Sequence, residues 1–113
     1  MKSLGPKGED TAVGYLKDKG YSILHRNFRT PLGEADIIVR DKEELVFVEV
    51  KARSSDAFGQ PFEAVGHRKQ EKLKKIALYY IKHTGTESPV RFDVISIITK
   101  NGEEEINHIK EAF

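Results

Sequence analysis

Ala12, Val13, Leu16 and Lys17 follow the 3.6-residue spacing of an amphipathic helix, which opens after Gly5-Pro6 and stops at Gly20. Glu9 precedes Ala12 by three residues, Val13 by four and Leu16 by seven, so it falls on the apolar stripe near the helix N-terminus. Residues 21–29 read as a first strand, followed by the turn Thr30-Pro31-Leu32-Gly33. Residues 34–40 and 45–52 read as second and third strands around the polar turn Asp41-Lys42-Glu43-Glu44. Residues 53–61 form a polar loop, and a helix then runs to about Thr84. Its core stripe is Leu73, Ile76, Ala77 and Tyr80, and Gly85 is a natural stop. Residues 90–99 give a fourth strand, which turns at Asn101-Gly102 into a shorter one around 105–109. The order α-β-β-β-α-β-β predicts an α/β fold, with a mixed central sheet flanked by helices.

At 113 residues the chain fits one domain, 1–113, large enough for a core of its own. It has no cysteine, which excludes disulfides and thiolate metal sites and agrees with a reducing cytoplasm. The start, MKSLGPKGED, lacks the apolar run of a signal peptide, and no window reaches the ~20 apolar residues of a membrane span. A net charge of +1 means that any attraction to nucleic acid comes from local patches.

The charges of the second and third strands are the informative ones. If residues 41–44 are a four-residue turn, Arg40 faces Leu45 and Ile38 faces Phe47. Continuing the ladder sets Asp36 opposite Glu49 and Glu34 opposite Lys51. Alternation then collects Glu34, Asp36, Glu49 and Lys51 on one face with Ile38, Leu45 and Phe47. Ala35, Ile37, Val39, Val46, Val48 and Val50 take the other. Opposed residues have Cβ atoms ~5 Å apart, so Asp36 and Glu49 repel unless a cation lies between them. Two converging carboxylates beside a lysine suit a hard dication, and Mg²⁺ takes oxygen ligands at ~2.1 Å. Lys51 would orient a nucleophile or stabilise developing negative charge.

The competing reading is a surface salt-bridge ladder, Glu34–Lys51 with Asp36 nearby. Three features weigh against it. Val46, Val48 and Val50 mark a central strand, Glu9 arrives from another element on an apolar stripe, and the polar loop that follows can border a cleft.

Gly33-Glu34-Ala35-Asp36-Ile37-Ile38 followed by Phe47-Val48-Glu49-Val50-Lys51-Ala52-Arg53 resembles the D…ExK core of the PD-(D/E)XK nuclease superfamily. The likeness is closer to the YraN-like proteins (uncharacterised protein family 0102), a bacterial group described as predicted endonucleases. It extends to Gly8-Glu9 with Ala12, Gly20-Tyr21, Arg26-Asn27 with Arg29, Phe58-Gly59, and Arg91-Phe92-Asp93. The resemblance implies a restriction-endonuclease-like αβββαβ core with a parallel fourth strand. It implies Mg²⁺ or Mn²⁺ held by Asp36, Glu49 and the Val50 carbonyl, with Lys51 as the catalytic lysine. Glu9 would match the helix-borne carboxylate of archaeal Holliday junction resolvases, which the chain also resembles in size. The position that gives the motif its "P" is Ala35 here.

The run from His67 to Lys75 carries five Lys/Arg against one Glu. It reads either as a phosphate-binding surface or as the solvated face of a helix. Lys69 and Gln70, nearest the strand end, are the candidate contacts, together with Arg29 on the first strand and Arg53 two residues after Lys51. Arg53 has the alternative of pairing with Glu34 or Asp56. Asp93 is expected to pair with an arginine. His67, His83 and His108 lack zinc-ligand spacing. Tyr79 and Tyr80 read as boundary and core, and residues 103–105 as a solvated turn.

These readings converge on a metal-dependent DNA endonuclease that hydrolyses phosphodiester bonds. Without a base-reading module it would select branched DNA, flaps or ends by shape, and branch recognition is compatible with a homodimer. The alternative is a catalytically silent nucleic-acid-binding module of nuclease fold, serving recombination, repair or DNA uptake.

Overall fold

The computed structural model describes residues 5–54 and 65–113. In chain order these form α1 (Gly5–Asp18), β1 (Ser22–Thr30), β2 (Gly33–Asp41), β3 (Glu44–Ser54), α2 (His67–Thr84), β4 (Val90–Lys100) and β5 (Glu103–Ile109). Most of the expected polar loop, including Phe58-Gly59, lies outside the described residues. The second helix starts at His67, after Gly66 in extended backbone. It ends at Gly85, whose φ of 71° suits glycine and whose N–H donates to the Ile81 carbonyl.

One sheet carries the strands in the order β1-β2-β3-β4-β5. Only β3 and β4 are parallel, so the chain between them must cross over, and α2 lies in that crossover. The third strand is central, as its valines predicted. Its side chains alternate between two layers. Val46 and Val48 join Ala12, Val13 and Leu16 of α1 in one core. Leu45 and Phe47 join Leu73, Ile76, Ala77 and Tyr80 of α2 in the other. Each fully buried aliphatic or aromatic side chain contributes about 1.5–3 kcal/mol. A strand covered on both faces needs this continuous apolar run.

The β2–β3 turn is tighter than the four residues expected. Asp41 pairs with Glu44, so only Lys42 and Glu43 lie between the strands. The register next to it is the expected one, with Arg40 opposite Leu45 and Ile38 opposite Phe47. Between β4 and β5, Asn101 and Gly102 both have positive φ, 52° and 80°, as a type I′ hairpin requires. Residues 103–105 are the exposed start of β5, not a turn, and Glu104 accepts hydrogen bonds from Thr11.

Close packing and polar contacts fix α1 on the sheet. A Cβ placed on Gly8 would lie 2.7 Å from the Ala52 Cβ, so hydrogen at this position lets the helix approach β3. A buried polar cluster on β4 and β5 reaches α1 through Tyr15, whose hydroxyl lies 3.2 Å from His108 Nδ1. Asp93 accepts from Arg91 Nε at 2.9 Å and from Arg91 Nη2 at 3.0 Å, and lies 2.7 Å from His108 Nε2. Arg91 also reaches Tyr21, Asp41 and Glu44. Burial would raise the Asp93 carboxyl, but His108 and Arg91 outweigh it and hold the pKa below the ordinary carboxylate value. Among the described residues no helix is long and apolar enough to cross a membrane.

Candidate functional site

The β2–β3 ladder ends at Ile37–Val48. The next two oppositions expected from the sequence, Asp36 with Glu49 and Glu34 with Lys51, are not part of it. The Val50 N–H instead donates to Asp36 Oδ2 at 2.9 Å, so a side chain takes the place of a strand carbonyl. Side-chain alternation also breaks here. Ala35, expected on the Ile37 face, packs beside Ile38 and α2. The neighbouring strand breaks at the same level. His25 and Phe28 both pack on Tyr80, and Asn27 between them has a φ of 54°. The paired skip frees the Asp36 carboxylate from both apolar layers and turns it toward the β3 main chain.

Glu49 keeps its expected face. Its side chain is 3% exposed, and Oε2 lies 2.5 Å from Lys69 Nζ and 3.7 Å from Lys51 Nζ. Its Oε1 is buried with no hydrogen-bond partner among the described residues. Such an acceptor ordinarily costs about 1–3 kcal/mol. Burial first, then the Glu49 carboxylate, push Asp36 up to about 7, against the pull of the Val50 N–H and Lys69, with Glu9 adding a smaller upward push. Burial works against the Lys69 ammonium, yet Glu49, Asp36 and Glu34 outweigh it and raise its pKa.

Asp36 and Lys69 open into a cavity of about 530 Å³, whose other lining residues are Gly33, Glu34, Gly66, Arg68 and Lys72. Of the residues singled out from sequence, Asp36, Glu49, Lys51 and Lys69 come together. Glu9, half-buried on α1, reaches the group through its field at Asp36. Among the described residues no group of three or more His, Cys, Asp or Glu side chains is arranged to hold a metal. The oxygen donors near one another are therefore Asp36 and Glu49, with the Val50 carbonyl on the same strand. Gln70 donates from its side chain to the Val65 carbonyl. Arg29, 84% exposed, pairs with Glu34 across β1–β2 at 3.6 Å, so Glu34 takes Arg29 and not Lys51. Arg53 is half-buried near the end of β3, opposite Ile98.

Sequence reasoning did not single out Arg68 and Lys72 as lining residues. Their i, i+4 spacing, flanking Lys69, was the available signal. No pattern in the sequence announces the Asp36–Val50 bond, which exists only because two strands skip together.

A family model described as uncharacterised protein family UPF0102 matches residues 8–97. A UPF0102 protein of Thermodesulfovibrio yellowstonii is 54% identical over 110 residues, covering 97% of this chain and 95% of its own. One from Syntrophomonas wolfei is 49% identical over 99% of this chain and 98% of its own. One from Bacteroides thetaiotaomicron is 48% identical over 97% and 91%. With these carboxylates and lysines set in an αβββαββ frame, the chain belongs to the uncharacterised protein family UPF0102.

Proposed function

We propose that this chain is a metal-dependent DNA endonuclease of the PD-(D/E)XK kind, hydrolysing phosphodiester bonds in branched, flapped or otherwise structured DNA. The observation that carries the reading is the crowding at the β2–β3 fork. Burial first, then the nearby Glu49 carboxylate, push Asp36 up to about 7, and Glu49 keeps a buried oxygen without a partner among the described residues. That donor set fits a hard dication. Two carboxylates and a main-chain carbonyl offer oxygen only, and Mg²⁺ or Mn²⁺ keeps waters in its remaining positions.

Asp36, Glu49 and the Val50 carbonyl would hold the ion, which when bound supplies Lewis acidity toward a phosphoryl oxygen and a lowered pKa for water. The chain's own groups do the rest. Lys51, beside Glu49, orients the attacking water and offsets negative charge growing on the phosphoryl oxygens. Water adds to phosphorus, one P–O bond to sugar breaks, and the leaving oxygen takes a proton, which yields a phosphomonoester and a hydroxyl end. Glu9 strengthens the negative field from α1. Arg68, Lys69 and Lys72 line the approach, and with Gln70, Arg29 and Arg53 they are the proposed contacts to the DNA backbone. A cytoplasmic setting suits a chain without cysteine, and a homodimer suits a branched substrate.

One observation favours a second reading, a nucleic-acid-binding module without chemistry. Lys69 already gives Glu49 a cation from within the chain. Incubation with branched, flapped and linear DNA in Mg²⁺ or Mn²⁺ separates the two. The nuclease reading expects cutting by wild type and binding without cutting by Asp36→Asn. Binding without cutting by wild type on every DNA supports the module, and an absence of both contradicts the two together.

A further inference from the structure

We infer that Lys69 is a displaceable counter-ion, which occupies the dication's charge position in the free protein and must leave Glu49 before the ion can bind. The inference rests on the nuclease reading above and adds a residue that controls loading of its site. Glu49 Oε2 is the shared point. Lys69 Nζ is 2.5 Å from it, closer than Lys51 Nζ at 3.7 Å. The two lysines differ in freedom. Lys51 is 23% exposed and projects from the central strand, whereas Lys69 is 43% exposed and arrives from the first turn of α2. A dication cannot share an oxygen lone pair with an ammonium at contact distance, because like charges a few ångströms apart repel strongly where solvent is scarce. Lys69 has somewhere to go. Its cavity also holds Arg68 and Lys72, so a displaced ammonium remains beside the approach proposed for phosphate. An arriving phosphate would draw Lys69 away from Glu49 and open the site to the ion. Loading and substrate capture would then favour each other, as reciprocal coupling requires.

The test is calorimetric titration of Mn²⁺ into the free protein, with no DNA present. Lys69→Met keeps the aliphatic stem and removes the ammonium, and Lys69→Gln is a second variant with a neutral polar end. Both are expected to bind Mn²⁺ about tenfold or more tightly than wild type, since the competing charge is gone. Lys72→Met removes an equal charge from the same cavity without an ion pair to Glu49, and should stay within about twofold of wild type. Glu49→Gln should abolish binding. Unchanged or weaker Mn²⁺ binding in both Lys69 variants overturns the counter-ion role while leaving the nuclease reading standing. An equal gain from Lys72→Met also overturns it, because the effect would then be general charge. No Mn²⁺ binding by wild type or by either Lys69 variant overturns both readings.

Discussion

The Val50 N–H donates to the Asp36 carboxylate at 2.9 Å, at the level where β2 and β3 cease to pair. A carboxylate in place of a carbonyl puts negative charge into a sheet that is apolar on both faces. It also brings that charge into the field of Glu49. The fork therefore does two things at once. It ends a ladder, and it gathers the groups of the proposed site.

The energetic consequence is a dependence on pH. Asp36 is raised from 3.8 to about 7. Below pH 3.8 it is protonated whether the chain is folded or not. As pH rises from about 4 toward 7, the unfolded chain releases this proton and the folded chain keeps it, so the contribution to stability falls across that window. Without divalent ions, wild type should lose on the order of 2–4 kcal/mol relative to Asp36→Asn between pH 4 and pH 7. Urea unfolding of both proteins across this range checks it, and parallel curves would sink the assignment.

Asp93 gives the opposite sign. Its pKa is held below the ordinary value, so its stabilisation is present above that value and is lost as pH falls through the folded one. Asp93→Asn takes from the buried Arg91 one of three carboxylate partners, Asp41 and Glu44 being the others, and should cost about 1–3 kcal/mol at neutral pH, measured by urea unfolding. Because Asp93 lies in the cluster with Arg91, His108 and Tyr21 and not beside Asp36 and Glu49, DNA cleavage per folded molecule should be unchanged.

Gly8 tests how α1 delivers Glu9. Alanine is the better helix former by about 1 kcal/mol, yet its Cβ would meet the Ala52 Cβ at 2.7 Å. Gly8→Ala should therefore destabilise by a net 1–3 kcal/mol or so, and adding Ala52→Gly should recover most of the loss. Thermal unfolding of the single and double variants reads this directly. A stabilised Gly8→Ala would show that α1 is not held by close approach.

Removing Lys51 separates chemistry from binding. Lys51→Met should still bind branched DNA while cutting at least about a hundredfold more slowly, because the group acts on charge that develops at phosphorus. A gel assay run for binding in chelator and for cleavage in Mg²⁺ gives both quantities. Equal losses in the two would make Lys51 a backbone contact only.

Most of the frame was legible in the sequence because its signals are periodic. The stripes at Ala12, Val13 and Leu16 and at Leu73, Ile76, Ala77 and Tyr80 became the two helix faces. The register at Arg40 and Leu45 held because the turn next to it fixes it. What was not legible lies where periodicity fails. Period-2 alternation put Ala35 with Ile37 and carried the ladder through Asp36. A local skip shared with Asn27 reverses the first and ends the second. The charged cluster was nevertheless anticipated, because Glu49 and Lys51 lie on the regular part of β3. Which cation meets Glu49 was not, since Lys69 comes from an element whose distance across the fold no local pattern encodes.

The most direct measurement is anomalous diffraction from crystals soaked in Mn²⁺. The account expects one strong peak within about 2.1 Å of oxygens from Asp36, Glu49 and the Val50 carbonyl, with Lys69 withdrawn from Glu49. Crystals fully exposed to Mn²⁺ that show no peak at these oxygens, with Lys69 still paired to Glu49, would contradict it.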